Sequence, residues 1–119
     1  MTTTIGVLKD SAVAPVEQLK ALIGSPLKVT DAQNQSLTVT YYQLLYIRKA
    51  LTEDEETGKI SSTKTQVSDF FTQTPLPQKW TKLFREELLP GEELYFFDII
   101  VKDKAGHVFY APNLRLMTK

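Results

Sequence analysis

The chain contains no cysteine. Disulfides, thiolate zinc sites, iron–sulfur clusters and cysteine nucleophiles are therefore excluded together. Histidine occurs once, as His107. A hydrolase triad needs a base held by an orienting acid, and a metal site draws on several imidazoles or carboxylates, so a lone histidine beside a turn glycine reads as a surface residue. The five glycines are all separated, and no Walker loop, G-x-G-x-x-G or G-x-S-x-G motif occurs. The backbone thus has no phosphate cradle and no nucleophile elbow. Neither sign of charge is in excess: 14 Lys plus Arg balance 14 Asp plus Glu. That balance argues against nucleic acid, whose binders gain most of their affinity by neutralising phosphates. No apolar run approaches the roughly 20 residues of a membrane-spanning helix. The opening "MTTTIGVLKD" lacks the basic region and apolar stretch of a signal peptide. Two compartments stay open: the cytoplasm if Met1 is the native start, or the periplasm and cell envelope if Met1 heads a trimmed domain.

What is present is ordinary globular material. With 119 residues, 42% hydrophobic and 24% charged, the chain suits one domain over 1–119 built on one core. "TTTIGVLKD" is short and β-prone, a first strand or arm. "APVEQLKALIGSP" predicts a short helix near 15–23, with Pro15 in the first turn and Gly24 followed by Ser25-Pro26 as the stop. "PLKVTDAQNQS" reads as a brief strand running into a polar turn. In "LTVTYYQLLYIRKAL" the β-branched and aromatic content favours one long strand, with a helix from Tyr41 to Leu51 as the competing reading. As a strand, it sets Leu37, Val39, Tyr41, Leu45 and Ile47 on one face, and Thr38, Thr40, Tyr42, Leu44, Tyr46 and Arg48 on the other.

The acidic run Glu53, Asp54, Glu55, Glu56 lacks the alternating ligands, central glycine and closing glutamate of an EF-hand, and reads as a solvated hairpin tip. "TKTQVSDFF" is a further strand. "PLPQKWTKLFREELLPG" predicts a helix over 77–89 whose stripe is Trp80, Leu83, Phe84 and Leu88, with Lys79, Lys82, Arg85 and Glu86 on the wet side. Pro90-Gly91 then turns the chain. "EELYFFDIIVKD" reads as a central strand buried on both faces: Leu94, Phe96, Asp98 and Ile100 point one way, Tyr95, Phe97, Ile99 and Val101 the other. "KDKAGH" is a turn with Gly106 at positive φ, and "HVFYAPNLRLMTK" a returning strand that sits at an edge or breaks at Pro112. A carboxylate at Asp98 has to be paired, hydrogen-bonded or turned outward by a bulge, and Asp69 beside Phe70-Phe71 falls under the same rule.

The stretch "QKWTKLFREELLPGEELYFFDIIVKDKAGHVFYAPNLRLM" resembles the C-terminal domain of the GldM and PorM family, the periplasmic shaft proteins of gliding motility and type IX secretion in Bacteroidetes. In that family a helix leads to a "kPGd" corner, a strand containing "I-x-A", a "pdG" turn and a last strand. Leu89, Pro90, Gly91 and Glu92 match the corner, and Asp103 and Gly106 match the turn, where Lys104-Ala105 replace the usual proline-aspartate. "LTVTYYQLLYI" resembles the family's "f-x-V-x-s-F" strand more loosely. The resemblance implies a β-sandwich that packs against neighbours in a long assembly and has no enzymatic activity. The transmembrane helix and earlier domains of a full shaft protein do not occur in these 119 residues.

These readings converge on a mainly β domain, a two-layer antiparallel β-sandwich with one or two short helices. The expected role is non-catalytic: protein interaction or homo-oligomerisation, with no cofactor, no metal and no catalytic residues. The long strand 37–48 and the proline-bearing last strand are the expected contact edges. The alternative is a small-ligand or carbohydrate-binding domain in which Trp80, Tyr41 and Tyr46 form a stacking platform, an arrangement that requires Trp80 to be open to solvent.

Overall fold

The computed structural model describes residues 1–53 and 55–119, and the side chains of these save 50–53 and 61–63. The domain is mainly β, with two short helices. Near the N-terminus β1 (Thr2–Ile5), β2 (Leu8–Lys9) and β3 (Ser11–Ala14) precede α1 (Val16–Leu22). Then follow β4 (Leu27–Thr30), the long β5 (Ser36–Glu53) and β6 (Ile60–Phe71). Helix α2 (Gln78–Glu87) leads to β7 (Glu93–Lys102), β8 (Val108–Ala111) and β9 (Leu114–Thr118). Both helices open immediately after a proline, Pro15 and Pro77, whose missing N–H costs nothing there.

The strands form one nine-stranded sheet with the path β2-β1-β4-β5-β7-β9-β3, while β6 pairs with β5 and β8 with β7. All pairings are antiparallel except β3 with β9, which is parallel, so the expectation of antiparallel strands throughout fails at that one pair. The two ends of the path, β2 and β3, are one stretch of chain interrupted by Asp10 at φ +59°. The Asp10 carbonyl accepts the Arg115 N–H at 2.9 Å. The sheet therefore curls nearly into a barrel.

Long β5 is a strand along its whole length, which disposes of the helix alternative over 41–51. It pairs with β4, β6 and β7, so it lies in the interior of the sheet and is no edge, contrary to the expectation for 37–48. A twelve-residue strand, β6, takes the edge position instead. The last strand does break at Pro112: β8 covers the far part of β7 and β9 the near part.

Register shifts between β5 and β7 explain how the core is filled. One falls between Val39 and Tyr41, the next between Tyr41 and Gln43, opposite the stretch Phe97–Ile100. Asp98 sits there at φ +48°, the signature of a bulge that reverses side-chain alternation. Inward positions are consequently Leu94 and Phe96 before the bulge, and Ile99 and Val101 after it, all buried. On β5 the switch runs from Leu37 and Val39 to Tyr42, Leu44 and Tyr46. The strict alternation expected for both strands is thus corrected. Strand β7 is buried on one face only; Tyr95, Phe97 and Ile100 point outward and are half-buried.

Helix α2 lays Trp80 and Phe84 over the inner wall, and Leu88, just past its end, joins them. The Tyr46 and Phe84 rings meet edge to face with centroids 4.9 Å apart, Phe71 meets Trp80 at 6.1 Å, and Tyr42 stands 5.4 Å from Phe71. Edge contacts of this kind add to the gain from apolar burial.

Candidate interaction surface

The outward face of the sheet carries a row of apolar side chains across four strands. Tyr41 lies opposite Ile100, and Ile100 opposite Tyr110. On the other side Tyr41 stacks against Phe70 of β6, with centroids 6.1 Å apart and planes 27° from parallel. The two ends of the row are the most open, Phe70 at 62% and Tyr110 at 74% exposure. Below it Tyr95 and Phe97 stack at 5.4 Å. A shallow hollow of about 250 Å³ between Leu45, Ile47, Glu93, Tyr95 and Arg115 continues the same face.

Polar groups frame the row and hold it in place. Gln43 Nε2 donates to Asp98 Oδ2 at 2.9 Å, Asn113 Nδ2 to the Tyr95 hydroxyl at 2.7 Å, and Arg115 Nη2 to Glu93 Oε1 at 2.9 Å. Single exposed apolar residues are normal on a protein surface, but a contiguous apolar row with a polar rim is the composition of an interface.

At its margin the face meets an open strand edge. Strand β7 flanks β5 only as far as Ile47; from Arg48 to Glu53, β5 pairs with β6 alone among the described residues. The Lys49 N–H still bonds to Glu92 of the body, so the two strands run on alone only from residue 50 to 53, an arm of about 13 Å at the usual strand rise. The molecule measures 63 × 23 × 22 Å. Every described side chain of β6 from Ile60 to Phe70 is exposed. Strand β8, with Val108, Phe109 and Tyr110 all exposed, pairs only with β7 among the described residues. Of the acidic run, Asp54 and the side chain of Glu53 lie outside the described residues; Glu55 and Glu56 stand exposed beside the tip.

The other candidates resolve into structural roles. Trp80 is 7% exposed and Tyr46 fully buried, so neither ring offers a face for stacking and the platform with Tyr41 is not formed. The Trp80 Nε1 donates to Asp69 Oδ2 at 3.4 Å, and Asp69 Oδ1 accepts the Phe70 N–H at 2.8 Å. Asp98 is exposed in its bulge. His107 Nδ1 lies 3.0 Å from Asp103 Oδ2, while Asp103 Oδ1 accepts the amides of Ala105 at 2.9 Å and His107 at 2.8 Å. Against a desolvation effect that would raise it, these bonds from His107 and Ala105 hold the Asp103 carboxyl below its ordinary range. This His–Asp pair is the clamp of the turn, and Gly106 adopts φ +87° as expected.

One buried acid escaped the sequence reading. Glu92 is 1% exposed, yet its carboxylate is fully engaged. Oε1 accepts the Tyr46 hydroxyl at 2.6 Å and the Leu89 N–H at 2.7 Å, and Oε2 accepts the Lys49 N–H at 2.8 Å. The Thr118 hydroxyl accepts the Glu92 N–H at 2.8 Å and donates to the Leu89 carbonyl at 2.7 Å. Glu92 thus ties β5 to the end of α2, and Thr118 ties the corner to the C-terminus. Burial, reinforced by the bond to Glu92 and its charge, pushes the Tyr46 phenol above its ordinary range. Burial likewise pushes Tyr42 up to about 12.

A second hollow, about 530 Å³, opens where β4 and β5 part after Val29 and Leu37. Lys28, Ser36, Thr38, Thr72 and Gln73 line it, all exposed. Among the described residues no group of three or more histidine, aspartate or glutamate side chains converges, and no helix is long and apolar enough to cross a membrane. No protein-family model, curated protein or solved structure matches the chain.

Proposed function

We propose that the protein is a non-catalytic interaction module that contributes a building contact to a larger protein assembly. The observation that carries this reading is the outward row from Phe70 through Tyr41 and Ile100 to Tyr110, continuous with the open edge of β6. A backbone edge supplies affinity through main-chain hydrogen bonds, and the neighbouring aromatic row supplies specificity. The likeness of the corner Leu89–Glu92 and the turn Asp103–Gly106 to the GldM and PorM C-terminal domain favours an assembly of the cell envelope, of the type IX secretion or gliding-motility kind. Under that reading the domain acts in the periplasm.

Size measurements on native extract test the proposal. The chain is expected to migrate in a complex larger than itself, and Tyr110→Ser or Phe70→Ser, which alter only exposed side chains, should release it. A chain that migrates as a monomer in extract and after purification overturns the reading.

A further inference from the structure

We infer that the edge of β6 pairs with β6 of a second copy, antiparallel and centred on Thr65, so that two arms form one continuous sheet. This rests on the reading of the chain as an interaction module and names its partner. Natural edge strands are kept short or are blunted by charge, proline or bulges. Strand β6 runs for twelve residues without proline, and its register with β5 is unbroken from Ile60 to Phe71. Within it only Lys64 and Asp69 are charged.

The two ends of the strand match about Thr65. Its most exposed large apolar side chains are Ile60, 68% exposed, and Phe70, 62% exposed, while Val67, at 39%, lies on the other face. They lie at opposite ends, an equal distance from Thr65, and on the same face, because strand side chains alternate with period two. A two-fold axis through Thr65, perpendicular to the sheet, is the operation that sets two such strands side by side antiparallel with that face shared. It places Ile60 of each copy opposite Phe70 of the other, so both apolar ends are covered at once. Lys64 falls opposite Gln66, and no like charges stand directly opposite each other. The pairing adds about one main-chain hydrogen bond per residue pair. Such an interface is isologous and closes as a dimer, since each copy spends its β6 edge once. It also gives the two-stranded arm the further strands that an isolated hairpin needs for stability in water.

The test uses the purified full chain and two paired variants, Ile60→Lys/Phe70→Lys and Ile60→Glu/Phe70→Glu. Both substituted positions are exposed, and folding of each variant is checked through its buried Trp80 fluorescence. Sedimentation equilibrium of the unaltered chain is expected to give dimers in the micromolar to millimolar range. Each variant alone should be monomeric, because like charges now face each other at both ends, and an equimolar mixture of the two should again give dimers, now mixed. A purified chain that stays monomeric overturns the pairing, as do dimers indifferent to both charge variants or a mixture that fails to restore them. A chain that is monomeric when pure yet migrates in a complex in extract refutes only the self-pairing. Monomers in both settings refute the underlying interaction reading as well.

Discussion

Glu92 offers the sharpest test of how this corner is held. Replacing it with leucine keeps an apolar body of similar size but removes every acceptor in the pocket. Three donors then lose their partner: the Tyr46 hydroxyl, the Lys49 amide and the Leu89 amide. An unsatisfied buried donor costs about 1–3 kcal/mol, and water reaching the Leu89 side of the corner recovers part of that, so the net loss should be about 3–4 kcal/mol. Against a total stability of about 5–15 kcal/mol for a natural domain, the change is severe. At about 3–5 °C per kcal/mol for a chain of this length, the melting temperature should fall by roughly 10–20 °C. Glu92→Gln keeps one acceptor and points an amide at the remaining donors, which should cost about 1–2 kcal/mol. The assay is urea denaturation followed by fluorescence of Trp80, the single tryptophan, whose burial makes it a reporter of unfolding. A double-mutant cycle with Tyr46→Phe completes the test: loss of the phenol should matter far less once Glu92 is gone. A Glu92→Leu protein within about 1 kcal/mol of the parent, or a Tyr46→Phe effect equal in both backgrounds, would refute the assigned network.

Three further outcomes follow from local geometry. Tyr42 is raised from an ordinary value near 10 to about 12, so the folded state holds its proton more tightly than the unfolded chain. Its contribution of roughly 3 kcal/mol is complete below pH 10 and is lost as pH climbs toward 12, and Tyr42→Phe should flatten that alkaline limb in a pH-resolved denaturation series. Gly91 adopts φ +87° with Lys49 Nζ 3.3 Å from the position of an added Cβ; Gly91→Ala should cost about 1–2 kcal/mol by urea titration. Asp98 occupies φ +48° in an exposed bulge; Asp98→Gly should leave stability within about 0.5 kcal/mol because glycine accepts that backbone, whereas β-branched Asp98→Val should cost about 1–2 kcal/mol.

Local signals in the sequence translated well where one residue type dictates one geometry. Both prolines that open the helices, the Pro90-Gly91 corner, the Gly106 turn and the break at Pro112 all act through backbone restrictions visible one residue at a time. The stripe of α2 was legible for the same reason: Trp80, Phe84 and the C-cap residue Leu88 recur at helical spacing and are buried, and Leu83, the fourth expected member, is half-buried against the core. Long-range choices were not legible. Nothing in "SAVA" announces that β3 runs parallel to β9, because that pairing is fixed by the curl of the whole sheet. Glu92 stood out only as the last residue of the Pro90-Gly91 corner; its burial depends on Tyr46 arriving from β5, 46 residues away in sequence. The edge was misplaced because β5 and β6 have similar strand character, and only tertiary pairing decides which of two strands in a hairpin is covered on its far side.

The bulges at Thr40 and Asp98 have the largest consequence for the outer face. A strand interrupted by one bulge and a strand buried on both faces have the same composition: apolar residues occur at both parities. Read without the bulge, Tyr95, Phe97 and Ile100 merge with the core. With it, the core takes Leu94, Phe96, Ile99 and Val101 in a single inward line, and the remaining apolar residues of β7 become surface. The hydrophobic excess of the C-terminal hairpin therefore divides into two parts, one that closes the barrel and one that faces outward beside Tyr41 and Tyr110. The φ of a single residue, Asp98, decides that division. An apolar outer face on the central strands is costly to leave in water, and it is on this surplus, beyond what the core consumes, that the proposed contact with another protein rests.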